Sequence, residues 1–381
     1  MVGGAVRDEI LGLPIKDKDY VVVGSTPQEM EKQGFISIGR DFPVFLHPKT
    51  KEEYALARTE KKISYGYKGF KFYTSPSVTL REDLSRRDLT INAIAKNDKG
   101  EIIDPFGGVK DLKAKIIRHV SNAFVEDPLR ALRVARFASR FKFNIDHETK
   151  ILLKTIVDSG EISFLTNERI WQEFSKGLME QYPSEMLKTL RECGALDSIF
   201  EKIMKKEEKL YSEKTFKELG SAIDYLAVKK MSLNCRFALL TFKLAHGTKE
   251  GNTIDEKNIN EFFNDLRVPK KCSELALLTL NYHKLIFAAK SLEKEKLLKL
   301  IYSIDAMRRT DRFKELLSTC RAISLFFGKK NTDIRNLDFF LKQVLRLKTI
   351  KISRAIKNKG SKKEIQTAIW EARLQLLENR S

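Results

Sequence analysis

Lys16-Asp17-Lys18-Asp19-Tyr20-Val21-Val22-Val23 places two carboxylates two residues apart, directly before a β-branched run. If the strand opens at Asp17, alternation turns both onto one face. Two hard oxygen ligands in that relation share Mg²⁺ ions, which also hold nucleotide phosphates. Such a two-metal site clamps the attacking and leaving oxygens of an in-line displacement. A charged strand entry at the surface is the other reading of the same pair. Upstream, Val2-Gly3-Gly4-Ala5-Val6-Arg7-Asp8 sets two glycines before a helix-like stretch that ends near Gly12. Glycines there let backbone amides approach a phosphate, with Arg7 adding a charged contact, although a plain turn uses the same residues. In Arg86-Arg87-Asp88-Leu89-Thr90-Ile91-Asn92-Ala93 a basic pair leads into an expected strand, and the fork of Arg87 can reach triphosphate oxygens.

The fourth candidate is Glu126-Asp127-Pro128-Leu129-Arg130-Ala131-Leu132-Arg133-Val134-Ala135-Arg136. Pro128 suits a first helical position, and Asp127 can cap the helix. Arginines at three-residue steps form a positive ridge. A solvated ridge pairs with acidic neighbours at four-residue spacing, yet no acidic residue occurs between Asp127 and Asp146.

Two kinds of chain must position these residues. Up to about residue 115 the sequence alternates short β-branched runs with turn signals, such as Asn97-Asp98-Lys99-Gly100. Beyond residue 120 apolar residues recur at helical spacing, as in Leu129, Leu132, Val134, Phe137, Ala138 and Phe141. Later helices are expected over 184–193, 233–245, 273–289 and 297–306. The expected class is α+β, a small α/β head followed by all-α parts.

Composition bounds the function. The 381 residues carry 71 Lys+Arg against 51 Asp+Glu, a net charge of +20, with 42% hydrophobic residues and nine prolines. That balance excludes a disordered chain and favours a polyanionic partner. Four cysteines with no CxxC spacing exclude a disulfide scaffold or cysteine-rich zinc module, and fit a reducing compartment. No apolar run approaches the ~18 residues of a membrane span, and Arg7, Asp8 and Glu9 stand where a signal peptide is apolar. A soluble, cytoplasmic, multidomain protein without membrane contact is expected. Residues 328–381 hold 14 basic and 5 acidic residues, the densest positive region, including Lys342, Arg346, Lys348, Lys351, Arg354, Lys357, Lys359, Lys362 and Lys363. Phosphate neutralisation and a solvated helical face both account for it.

Taken in order, Gly-Gly-Ala-Val-Arg-Asp, Asp-Lys-Asp, Arg-Arg-Asp-Leu-Thr-Ile-Asn-Ala and Glu-Asp-Pro-Leu-Arg resemble the class II nucleotidyltransferases: the CCA-adding tRNA nucleotidyltransferases and bacterial poly(A) polymerases. The stretches 39–48 and 53–60 are similar to bacterial CCA-adding enzymes in particular. The resemblance implies a nucleotidyltransferase head at 1–117, a base-selecting helical neck at 118–200, a body at 201–327 and a basic tRNA-binding tail at 328–381. It implies that Asp17 and Asp19 are catalytic and hold Mg²⁺. It also implies that Gly4, Arg7, Arg87, Asp127, Arg130, Arg133 and Arg136 bind the nucleotide. The implied reaction is template-independent addition of C, C and A to the tRNA 3′ end from CTP and ATP, releasing pyrophosphate. A poly(A) polymerase, a partial (CC- or A-) adding enzyme and a non-catalytic tRNA-binding protein are the alternatives.

Base selection has a physical rationale. Cytosine and adenine each present an amine donor beside a ring-nitrogen acceptor, which a carboxylate and a guanidinium complement. Uracil and guanine reverse the order and leave buried groups unpaired. A helix cap competes for the Asp127 carboxylate, with Glu126 or Ser121 able to support the turn instead. The glycine- and lysine-rich stretch after Arg58 resembles the family's flexible loop, associated with the switch from C to A. In the body, Phe242-Lys243 stands where some relatives carry a His-Asp pair, and only His246 and His283 lie beyond residue 150. Phosphohydrolase activity is therefore expected to be absent. Little sequence precedes Val-Gly-Gly, so either the first strand is expected to fray or the start codon is misassigned.

Overall fold

The computed structural model describes residues 1–38, 44–63, 69–200, 212–245, 256–328, 330–349 and 361–378. Residues 39–43, most of the glycine- and lysine-rich stretch, His246, and Lys351, Arg354, Lys357 and Lys359 lie outside them. The chain forms two compact units, Met1–Ile199 and Phe200–Ser381.

The first unit begins with α1 (Gly4–Ile10), β1 (Asp19–Val22), α2 (Pro27–Lys32), β2 (Ile36–Ser37), β3 (Val44–Leu46) and β4 (Glu53–Leu56). A hairpin of β5 (Arg58–Lys62) and β6 (Phe70–Thr74) follows, then α3 (Leu80–Ser85), β7 (Ala95–Lys96), β8 (Ile102–Ile103), α4 (Gly108–Ala114) and β9 (Ile116–Ile117). The main sheet runs β1-β4-β3-β2, with β1 parallel to β4 and the other pairs antiparallel. Met30, Phe45 and Leu56 fill one core beneath it, and Val2, Leu84, Ala93 and Ala95 fill another. Capping boxes at Thr26/Glu29 and Thr79/Glu82 start α2 and α3, each contributing about 1 kcal/mol. The Asn97–Gly100 turn joins β7 to β8, with the Asn97 carboxamide oxygen accepting from the Lys99 and Glu101 amides.

Two expectations need correction. The first strand does not fray: Val2 is buried and bridges both Asp19 and Ala95. Its amide donates to Asp19 (2.9 Å), and the Met1 amino group donates to the Lys96 carbonyl. The Arg86-Arg87 pair leads not into a strand but into a 3-10 turn over Thr90–Asn92, closed by the Asn92 amide on the Leu89 carbonyl (2.9 Å) and the Ala93 amide on the Thr90 carbonyl (3.0 Å).

The helical part of this unit comprises α5 (Leu129–Phe141), β10 (Asn144–Ile145), α6 (His147–Asp158), α7 (Asn167–Met179), α8 (Pro183–Glu192) and α9 (Ala195–Phe200). The apolar face of α5 packs on α7 and α8, where the Ser139 hydroxyl donates to the Gly177 carbonyl (3.1 Å). The arginine ladder of α5 runs beside this packed face, with Arg136 reaching Glu173 on α7.

The second unit is all helical among the described residues: α10 (Glu213–Val228), α11 (Leu233–Ala245), α12 (Glu256–Asp265), α13 (Lys270–Phe287), α14 (Lys294–Ser303), α15 (Thr310–Phe327), α16 (Lys330–Lys348) and α17 (Lys362–Glu378). Nearly all of α11 is buried, packed on α10, α13 and α15. The four cysteines are free and buried. Among the described residues no helix is long and apolar enough to cross a membrane.

Candidate active site

Gly3 turns the chain into α1 with φ 71°, a conformation that favours glycine. A Cβ there would stand 2.7 Å from an Arg87 guanidinium nitrogen, so glycine is also what lets Arg87 lie across the turn. Next to it, Asp19 opens β1. Asp17 lies two residues earlier, before the strand, so strand alternation does not set its direction as expected. Both carboxylates reach solvent. Desolvation raises the Asp19 pKa above the usual carboxylate range, and the charge of Asp17 adds to this, while Arg87 opposes it. Two solvent-reaching carboxylates offer hard oxygen donors of the kind Mg²⁺ takes.

A cavity of about 540 Å³ lies in this unit, lined by eight arginines and six carboxylates. It brings together Gly4, Arg7, Asp19, Arg87, Asp127, Arg130, Arg133 and Arg136; Asp17 is not part of the lining. So many buried charges persist only where partners satisfy them, and Asp83, Asp88 and Glu173 are among the carboxylates that do this. Asp83, with no exposed surface, receives Arg86 through two nitrogens (3.0 and 2.7 Å) and Arg87 through one (3.3 Å). Burial pushes its pKa up, but the two guanidiniums outweigh this and hold it below the ordinary value. Asp88 accepts from Arg133 Nε (2.7 Å) and from Asn92 (3.0 Å). There too burial is overcome, chiefly by Arg133, and the carboxyl is held at about 2. Glu173 on α7 accepts from Arg136 Nε (2.6 Å) and lies 3.8 Å from Arg133.

Arg7 is buried. It donates to Asp8 (2.9 Å) and Asn92, and its guanidinium lies about 5 Å over the rings of Phe137 and Phe141. Arg140, one step further along the ladder, also reaches Asp8 (2.9 Å). The buried Nε of Arg87 has no hydrogen-bond partner.

Asp127 serves the helix start as well as the cavity. Its Oδ1 accepts from the Leu129 amide (3.0 Å), and Oδ2 lies 3.7 Å from Arg169. Ser121, the expected substitute cap, instead donates to the Ser85 carbonyl. Arg130 donates to the carbonyls of Ala123 (3.0 Å) and Arg86 (2.7 Å). A guanidinium has five donors and a carboxylate about four acceptor sites, so both retain capacity for a base.

Sequence reasoning missed Asp83 and Glu173. Glu173 lies 37 residues from the Arg136 it holds, beyond any spacing rule, whereas Asp83 precedes Arg86 and Arg87 by three and four residues, a helical spacing that the sequence did offer. Arg140 had a signal, because it continues the ladder four residues beyond Arg136.

Comparison with known proteins decides the family. Residues 1–118 match the family model described as "Poly A polymerase head domain", and residues 142–206 match "Probable RNA and SrmB-binding site of polymerase A". A Multifunctional CCA protein of Methylobacillus flagellatus is 43% identical over 99% of this chain and 96% of its own length. The chain belongs to the CCA-adding nucleotidyltransferase family. It is therefore a nucleotidyltransferase. Solved structures share its fold: a CCA-adding enzyme with ATP (TM-score 0.70, 23% identity, 100% of this chain and 86% of the other) and the Thermotoga maritima CCA-adding enzyme complexed with tRNA (0.70, 23%, 100% and 87%).

The body segment at 242–243 is closely packed. Phe242 is buried, with its ring edge-on to His283 (4.8 Å). Lys243 Nζ lies 4.4 Å over the Phe327 ring, and burial lowers its pKa. His283 Nδ1 is held by the carbonyls of Thr279 and Leu280, so that nitrogen is committed to backbone. Among the described residues no group of three or more His, Cys, Asp or Glu could hold a metal ion.

Proposed function

We propose that this chain adds C, C and A to the 3′ end of tRNA from CTP and ATP, without a nucleic-acid template and with release of pyrophosphate. The observation that carries the reading is the single cavity joining the β1 carboxylate Asp19 to Arg87, Asp127, Arg130, Arg133 and Arg136. In this reading Asp17 and Asp19 hold Mg²⁺, which supplies charge neutralisation at the reacting phosphates. Arg87, with its spare Nε donor, and the tethered Arg133 and Arg136 orient the triphosphate. Their carboxylate partners fix these guanidiniums in advance, so little reorganisation accompanies reaction. Gly4 admits the close approach of the nucleotide to α1, and Arg7 braces that approach. The remaining donors of Arg130 and acceptor sites of Asp127 pair with the edge shared by cytosine and adenine.

The division into head (1–117), neck (118–200), body (201–327) and basic tail (328–381) belongs to the same reading, with body and tail holding the tRNA. Buried free thiols suit a cytoplasmic location. The packed Phe242-Lys243 segment supports the absence of phosphohydrolase activity.

The test is incubation of the purified protein with Mg²⁺ and a tRNA lacking its 3′ end, giving CTP and ATP separately and together. Three added nucleotides and no more support the proposal. Long A tails identify a poly(A) polymerase, one or two additions a partial enzyme, and none a binding protein.

A further inference from the structure

Hairpin β5–β6 is a two-stranded sheet of its own, with two unlike faces. Along β5 the inward residues all have charge partners. Glu60 accepts from Arg58 (3.1 Å) and Arg86 (2.6 Å), and Lys62 meets Glu161 (2.5 Å). Arg58 and Glu60 line the nucleotide cavity. The outward residues are Thr59, Lys61, Lys71 and Tyr73, with Ile63 continuing the same face. None is acidic.

Lys61 stands directly opposite Lys71 in the strand register. Like charges so placed repel, their Cβ atoms being only about 5 Å apart. Among the described residues neither lysine meets a carboxylate. Beside them the Tyr73 ring is 44% exposed, with Lys71 Nζ 5.3 Å from its centroid, and Ile63 is 63% exposed. A cation pair without a carboxylate partner, one lysine lying over a half-exposed aromatic ring, is what a single-stranded polynucleotide complements: phosphates neutralise the lysines and a base stacks on the ring's exposed surface. The position also fits, because the hairpin is one residue layer thick and its other face lines the cavity where the chain end must react.

We propose that Lys61, Lys71 and Tyr73 form a docking platform for the single-stranded 3′ end of the RNA substrate. This rests on the tRNA-extending function proposed above. The platform gathers the RNA strand from outside the hairpin and delivers its end to the cavity, using contacts separate from those that hold the nucleotide.

The full chain is tested with two probes, a tRNA transcript ending after two added cytidines and one trimmed of its whole single-stranded 3′ end. The variants are Lys61→Ala/Lys71→Ala, Tyr73→Ala and Tyr73→Phe. For the longer probe the double lysine variant should raise Kd about tenfold and flatten the log Kd–log salt slope by about 1.4, two phosphates' worth. Tyr73→Ala should weaken the same probe, and Tyr73→Phe should restore it. The trimmed probe and the KM for CTP should not change, and Tm should hold or rise as the lysine repulsion is relieved. Unchanged binding of the longer probe overturns the platform, as does equal weakening of both probes. Failure of the unsubstituted protein to incorporate CTP would count against the functional reading alone, since the binding measurements still decide the platform.

Discussion

The face of α5 that meets the cavity and the seam between α11 and α13 are both helix surfaces rich in buried side chains, yet they use burial in opposite ways. Along α5 four arginines are held by Asp8, Asp88, Glu173 and backbone carbonyls, a costly arrangement that apolar residues could replace without loss of packing. Along α11 Phe242 packs edge-on against His283 and Lys243 lies over Phe327, contacts made within the helical bundle. The contrast teaches where chemistry is retained. On α5 buried charge is kept beside a cavity and needs carboxylate partners, whereas on α11 burial is used for ring packing.

The sharpest way to break this comparison is Asp17→Ala or Asp19→Ala. Addition should fall by on the order of 10³-fold with tRNA binding unchanged, and near-normal turnover would remove the metal assignment. Next, Glu173→Gln should lower kcat/KM by about 100-fold through misplaced Arg133 and Arg136. Steady-state kinetics with CTP check it; an unchanged value would make Glu173 mere packing. Arg130→Ala should cut discrimination against UTP by about 30-fold, and unaltered exclusion of UTP in a competition assay would refute its base-reading role.

Asp88 gives a smaller effect, on stability. Its folded pKa lies at about 2, below the usual value of 3.8. Its contribution is therefore present above about pH 4 and lost as pH falls towards 2. Asp88→Asn should lower stability by about 2 kcal/mol at neutral pH and by less in acid. Denaturant melts at pH 7 and pH 3 compare the two, and an equal loss at both would show that ionisation is not what matters. On the α11–α13 side the expected effect is nil: the purified protein with divalent metals should show no phosphodiesterase turnover, and robust turnover would erase the contrast.

Much of this was readable from local pattern. The α5 ladder, the β7–β8 turn at Asn97–Gly100 and helix α11 each follow from spacings within one turn or one strand. The expected strand after Arg87 became a 3-10 turn and Val2 was pinned rather than frayed, because both depend on what packs against them from elsewhere. Glu173 was invisible for the same reason, whereas Asp83 stands at helical spacing from Arg86 and Arg87 and was legible.

The order and spacing of the four motifs were enough to set the chemistry, since residue type decides which groups can bind metal, phosphate or base. Which arginine is held by which carboxylate was decided only by folding. Cooperating groups such as Asp88 and Arg133, 45 residues apart, meet through packing, and ion-pair geometry is a property of distance in space. The two faces of the β5–β6 hairpin make the same point: alternation offers two sets of residues, and the tertiary structure assigns one to the cavity and leaves the other to solvent.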